Sequence, residues 1–393
     1  MLKSRLADQY NPLFFLAALG AGGLAVSFFL YPMFLIKHPD APMVTFNHLW
    51  PLLTGDNPLI AALLALVLAV IAFLAFLHVR LLIWNLREYA LFKQTQAYTK
   101  LLSSNAEISL MAIPLTLAMS VNVMFVLGAL FVPNLWSVVE WLFPGAILAF
   151  LAIGAYAMRI LVTYFARVLS QGGVDFASNN SLAPMIAIFA LAMIAVGLAA
   201  PAAMSHIKAV QAISIVLSLF FFSAAALLAV IKLVLGFKAM MEHGISEAAS
   251  PSLWILIPIL TLLGITWIRL SHGLHHGFEA HGSPTSLFVL SAAVLSMQIL
   301  FGLIGWAVMR RLGYFEDYVR GDKGNAGTFA LICPGVAFFV FGLFFITVGL
   351  VQTGLVAHLS PLYFALMLPF VLVQLKTVQV MFHIKRNILH VKA

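Results

Sequence analysis

The sequence predicts an all-α integral membrane protein: ten transmembrane helices arranged as five parallel hairpins around a central pore, with the odd-numbered helices kinked by proline. Three observations carry that prediction. Hydrophobic residues make up 63% of the 393 positions and charged ones 9%, with a mean hydropathy of +1.07, whereas soluble globules are nearer a quarter charged. Basic side chains fall on alternate connections between apolar runs. A proline recurs near the start of every second run, at Pro114, Pro184, Pro258 and Pro334, and Asn11-Pro12 opens the first.

Crossing the hydrocarbon takes about 20 residues of helix. Ten runs qualify, near 13–36, 59–84, 109–132, 136–158, 181–203, 209–232, 252–270, 286–309, 327–351 and 362–384. They form one ten-helix transport domain, 13–384, between short cytoplasmic ends at 1–12 and 385–393. The run from Leu13 to Ile36 is too long for a signal-peptide core and has no convincing cleavage site, so it reads as the first span. Its Gly20-Ala-Gly-Gly23 permits close helix approach. After the second run, Asn85 to Ser104 is polar and helical in pattern, with Tyr89, Phe92 and Tyr98 among its residues, and is expected to lie on the membrane surface.

The third run carries Pro114 about a turn and a half inside its start. Proline removes an amide donor and clashes with the carbonyl four residues back, so a kink or break is expected there. Pro184, Pro258 and Pro334 predict the same for the fifth, seventh and ninth runs. The carbonyls so freed, of Leu110, Asn180, Trp254 and Ala330, need partners that lipid does not supply, which points to a protein interior or a wet cavity. The even runs are not free of proline, since Pro144 and Pro369 lie in the fourth and tenth.

Of the 21 basic residues, all but Lys37, Lys208 and Arg269 fall on the side of the N-terminus. That asymmetry predicts cytoplasmic N- and C-termini and a multi-pass protein of the cell (inner) membrane. The odd helices then all run outward, joined to their even partners by mostly short loops such as Val132-Pro-Asn-Leu135. Hairpins repeated in one orientation can be related by an axis along the membrane normal, hence the expected central passage. The net charge of +8 is distributed as topology signal, so the expected partner is the lipid bilayer and not nucleic acid.

Few ionisable groups fall within the runs. Arg80, Arg159 and Lys232 are within snorkelling reach of the cytoplasmic interface, and Glu140 and Arg269 of the outer one. Lys376, two turns inside the last run, reads as a lysine reaching headgroups, with attraction of an anion as the alternative. The cluster His272-Gly-Leu-His-His-Gly-Phe-Glu-Ala-His281 offers imidazoles for zinc or copper, but its glycines at 273, 277 and 282 make it read as a flexible turn. A haem would need histidines at facing mid-membrane positions, whereas His78, His206, His243, His358 and His383 lie near run ends or in loops. Cys333 is the single cysteine, which excludes disulfides within the chain and cysteine metal sites. There is no HExxH, phosphate-cradling loop or GxSxG elbow, so neither enzyme activity nor a cofactor is expected. A lumen lined by Thr116, Ser120, Asn122, Thr261 and Thr266 would offer weak hydrogen bonds without a deep charge trap, which suits passage of an anion. Basic loops would raise the local anion concentration.

At the third run, Ile113-Pro-Leu-Thr-Leu-Ala118 followed by Asn122 resembles the "IPMGLAT…N" stretch of the tellurite-resistance/dicarboxylate transporter family, which includes slow anion channels, malate carriers and sulfite pumps. Pro251-Ser-Leu-Trp254 with Pro258, and Thr328 to Pro334, are similar to its seventh and ninth helices. The resemblance implies five hairpins, proline-kinked odd helices around a pore, a homotrimer with one pore per protomer, and passage of small inorganic or organic anions. The residues expected to kink the odd helices or line the lumen are Pro114, Thr116, Asn122, Pro184, Pro258, Thr261 and Pro334. In that family a phenylalanine before the ninth helix's proline occludes the pore. Here Cys333 holds that place, and the family's gate does not carry over to a phenylalanine; of Phe338 and Phe329, each sharing a face with Pro334 or Cys333, Phe338 is the preferred candidate because it lies deeper in the span. The loops 37–58 and 85–108 are longer than in compact bacterial members. The function implied is an anion channel or exporter. The alternatives are a proton-linked C4-dicarboxylate carrier, which would more naturally show a buried carboxylate, and a metal- or haem-binding membrane subunit.

Overall fold

The computed structural model describes residues 2–172, 180–279 and 283–390. Among them the regular structure is helical throughout, apart from one isolated bridge between Leu2 and His390. Ten helices are long and apolar enough to cross a membrane: Pro12–Leu35, Pro58–Phe92, Asn105–Phe131, Leu135–Gln171, Ala183–Met204, Lys208–His243, Glu247–Phe278, Pro284–Arg311, Ala326–Val351 and Pro361–Leu389. These are spans one to ten. The Leu2–His390 bridge, with the Lys3 amide donating to the Leu389 carbonyl at 2.8 Å, puts both ends of the chain on one face.

The expected surface helix is only partly there. Asn85 to Phe92 continue span two, and a separate helix forms only over Gln96–Leu102. Burial of the polar residues explains it. Tyr10 Oη donates to Asn85 Oδ1 at 2.9 Å, Asn85 Nδ2 donates to the Leu81 carbonyl, and Glu88 accepts from the amides of Arg5 and Leu6 at 3.0 and 2.8 Å. Trp84 Nε1 donates to the Lys3 carbonyl at 2.7 Å. The residues before span one thus form a strap that satisfies what looked like a solvated face, and Tyr89, Phe92 and Tyr98 pack around Tyr10 or on one another.

The prolines also sit differently from expectation. Spans three, seven and nine open with 3-10 segments, Asn105–Met111, Glu247–Ile255 and Ala326–Leu331, and the α-helix that follows carries Pro114, Pro258 or Pro334 as its third residue. Span five opens with Ala183–Met185, which contains Pro184, and span one with Pro12–Phe14. At the start of an α-helix the first amides have no intrahelical partner, so a missing N–H costs little. The tighter turn before it bonds over three residues instead of four. These prolines therefore mark a change of pitch and not an interior kink. Prolines lie further inside at Pro32, Pro144, Pro201 and Pro369.

Burial separates the spans into two sets. Over their most apolar stretches the odd spans are 61–83% buried and the even ones 22–28%, so the even helices carry the faces left for lipid. Odd spans also touch one another in the order one–three–five–seven–nine and back to one. Close approach between nine and one needs the glycines of the first span: a Cβ on Gly20 would stand 2.9 Å from Ile332 Cγ2, and one on Gly23 3.3 Å from Val336.

Buried polar side chains on even spans fasten them to odd ones. His78 of span two bonds the Ala18 carbonyl and Ser120 Oγ, each at 2.8 Å. Ser218 of span six donates to the Ala195 carbonyl at 2.8 Å, and Gln298 of span eight to Thr261 Oγ1 at 2.6 Å. Gln374 of span ten donates to Ser27 Oγ and accepts from Tyr31 Oη, both on span one. In hydrocarbon such groups have no water to bond, so each pairing also fixes which helix is the neighbour.

Candidate functional site

A cavity of about 510 Å³ runs between the odd spans, all five of which line it, with Phe143, Ala146 and Phe150 of span four. Most of the wall is apolar. Its deep end is set by Leu19, Pro258 and Cys333, near the start of the α-helical parts. At the other end Pro42, His276 and Gln352 are exposed, so the cavity opens on the face opposite the chain ends.

Ninth-span residues reach the wall by helical spacing: Cys333, Ala337, Val340 and Phe344 follow at intervals of four or three, which keeps them on one side. Beyond Phe344 the helix widens into a π-helical stretch, Phe345–Val351, that carries Thr347 and Val348 to the wall. Such stretches are rare and frequent at functional sites. Seventh-span residues do likewise, from Pro258 and Thr261 through Ile265 to Arg269, His272 and His276.

Those last three residues are what sequence reading missed. The seventh helix continues to Phe278, so His272 and His276 are part of its last turns and not of a flexible loop, while His281 lies outside the described residues. The spacing 269, 272, 276 is i, i+3, i+7, a signal readable in the sequence had the helix been carried past Leu270. Arg269 Nη1 donates to the Val196 carbonyl of span five at 2.8 Å. Among the described residues it has no carboxylate partner, and none of them brings a carboxylate to the cavity wall. Nor do three histidine, cysteine or acidic side chains converge among the described residues.

The polar residues singled out from sequence divide. Asn122 is on the wall, its Nδ2 3.5 Å from Met193 Sδ. Thr261 is there too, but its hydroxyl already donates to the Ile257 or Ala337 carbonyl, at 3.0 and 3.1 Å, while accepting from Gln298. Thr116 is fully buried off the wall, donating to the Ala112 carbonyl at 2.8 Å and lying 3.2 Å from that of Phe15. Six residues turn an α-helix by about 240° net, so Thr116 and Asn122 cannot share a face. Pro258 lines the cavity. Pro114, Pro184 and Pro334 do not.

Phe338, the expected gate, turns away: its ring lies 5.0 Å from Phe370 of span ten and is not on the wall. The cavity face of span nine is counted from Cys333, and Phe338 is about 140° round from it. Cys333 itself is on the wall. Phe329, one turn before it, is fully buried at the closed end. Lys376 is exposed on span ten, bonded to Gln379 Oε1 at 2.9 Å.

No family model, curated protein or solved structure matches the chain.

Proposed function

We propose that this protein moves small anions across a membrane through the cavity between its odd spans, which we read as the lumen of five hairpins set around one axis. The single observation that carries the reading is the charge of the wall: among the described residues its one permanently charged side chain is Arg269, and no carboxylate accompanies it. A cation on a low-dielectric wall attracts anions and repels cations. The apolar remainder keeps binding weak enough for release.

In this reading the chain ends and basic loops face the cytoplasm, and the passage is closed on that side by the packed side chains below Cys333, with Phe329 as the gate. The protomers associate as a homotrimer, as the family resemblance implies. A proton-linked organic-acid carrier is the second reading, favoured by the titratable His272 and His276 on the wall.

The test is flux in proteoliposomes, with chloride, nitrate, sulfite and malate compared at matched ionic strength. Asn122→Cys in a Cys333→Ala background should conduct, react with a water-soluble thiol reagent added from the far face, and lose flux on modification. Flux that survives complete modification would move the path elsewhere. A requirement for a pH gradient would select the carrier over the channel.

A further inference from the structure

We propose that Arg269 and Asn122 form a built binding station for an oxyanion, a carboxylate or an inorganic oxoanion, in the open half of the cavity. Both side chains lie against the same stretch of span five. Arg269 bonds the Val196 carbonyl, and Asn122 reaches Met193 one turn earlier, so the guanidinium and the amide stand at neighbouring heights on two different helices.

Each has donors to spare beyond its one protein contact. A guanidinium has five N–H donors, and one nitrogen of Arg269 is used, on a single carbonyl. Asn122 Nδ2 faces a thioether sulfur at 3.5 Å, a weak acceptor. A cation held within a span is expensive and normally paired. With no carboxylate on the wall among the described residues, a bound anion is the counter-ion that the site lacks. The guanidinium is a planar fork that accepts two oxygens side by side, a geometry that a spherical halide cannot use fully. The amide of Asn122 adds a third donor from span three, and His272 and His276 continue the stripe of nitrogen-bearing side chains toward the opening.

The inference rests on the anion reading above for how the ligand arrives, but binding is measurable without flux. Thermal stabilisation of the purified protein in detergent is titrated with acetate, malate, nitrate and chloride at constant ionic strength, for wild type, Arg269→Gln, Arg269→Lys and Asn122→Asp. Lys376→Gln is the control, removing a charge from the exposed surface of span ten. Wild type and the control should be stabilised saturably by the oxyanions more than by chloride. Arg269→Gln should weaken oxyanion affinity by about tenfold or more, the worth of a charge-assisted pair. Arg269→Lys keeps the charge without the fork and should level the anions, and Asn122→Asp, which puts a carboxylate beside the cation, should abolish the effect even if Arg269→Gln does not fold. Acetate and malate against nitrate separate a carboxylate ligand from an inorganic one. Equal stabilisation of wild type by chloride and oxyanions, or oxyanion stabilisation undiminished in Arg269→Lys and Asn122→Asp, would overturn the station. Oxyanion binding in a protein without anion flux would leave the station standing and remove the transport reading.

Discussion

Removing either partner of the Glu107–Arg167 pair should destabilise the protein by very different amounts. Arg167 donates to Glu107 Oε2 through Nε at 3.1 Å and Nη2 at 2.9 Å, and it also reaches the Ser104 carbonyl at 2.8 Å. Its guanidinium lies over the Tyr164 ring at 5.6 Å. The side chains are 23% and 6% exposed for arginine and glutamate respectively. In Glu107→Gln the arginine keeps the Ser104 carbonyl, the ring and some solvent, so the loss is that of one charge-assisted contact partly replaced by an amide, about 1–2 kcal/mol. In Arg167→Met the carboxylate stays behind with no other hydrogen-bond partner among the described residues, and breaking a buried pair in that way costs about 3–5 kcal/mol. Denaturation midpoints in detergent should therefore fall in the order wild type, Glu107→Gln, Arg167→Met. The double variant should recover part of the larger loss, because it removes the stranded charge. Equal losses, or a larger loss from Glu107→Gln, would refute the reasoning that solvent access to the surviving partner sets the cost.

Phe329→Ala should raise basal anion flux in proteoliposomes, whereas Phe338→Ala, which faces Phe370, should leave it at the wild-type level; the reverse pattern would return the gate to Phe338. Gly20→Ala places a methyl 2.9 Å from Ile332 Cγ2 and should cost about 1–3 kcal/mol by overpacking. Gly145→Ala meets nothing within 4 Å and should be neutral or gain up to about 1 kcal/mol of helix propensity, and denaturation midpoints separate the two. Reporter fusions within 325–327 should read cytoplasm and one near Gly277 the opposite side, and a reversal at either would overturn the orientation proposed from the basic residues.

The positions of the ten spans were legible because twenty apolar residues in a row have few other uses. Their ends were less so. Asn85 and Glu88 read as a solvated surface in sequence, yet both are buried against residues 5–14, and no local pattern announces a partner so far along the chain. The same blindness ended the seventh span at Leu270: glycines at 273 and 277 look like a turn, but Gly273 is small because the Ala202 carbonyl passes within 2.4 Å of where its Cβ would be. That truncation hid two wall histidines and left Arg269 looking like an interfacial residue. The direction of Phe338 was not legible, because hydrophobicity says that a phenylalanine is inside a span, while the side it faces depends on how the whole helix is turned. Six-residue spacing alone says that Thr116 and Asn122 face different ways, but not which of them meets the cavity.

The bond pair from Gln374 to Ser27 and Tyr31 joins residues 347 and 343 positions apart, and that separation imposes a timetable on biogenesis. A ribosome feeding this chain into a membrane releases span one long before span ten exists. Until then Tyr31 lacks its Gln374 partner, and the Ser27 hydroxyl has only the Leu24 carbonyl of its own helix to bond among the described residues. Loop closure over such a length is entropically slow to find but adds little further cost per residue. The seam between the earliest and latest helices is therefore the last to form. Truncation before span ten should leave a nine-span intermediate whose first helix is open to whatever insertase or quality-control factor patrols unsatisfied membrane segments.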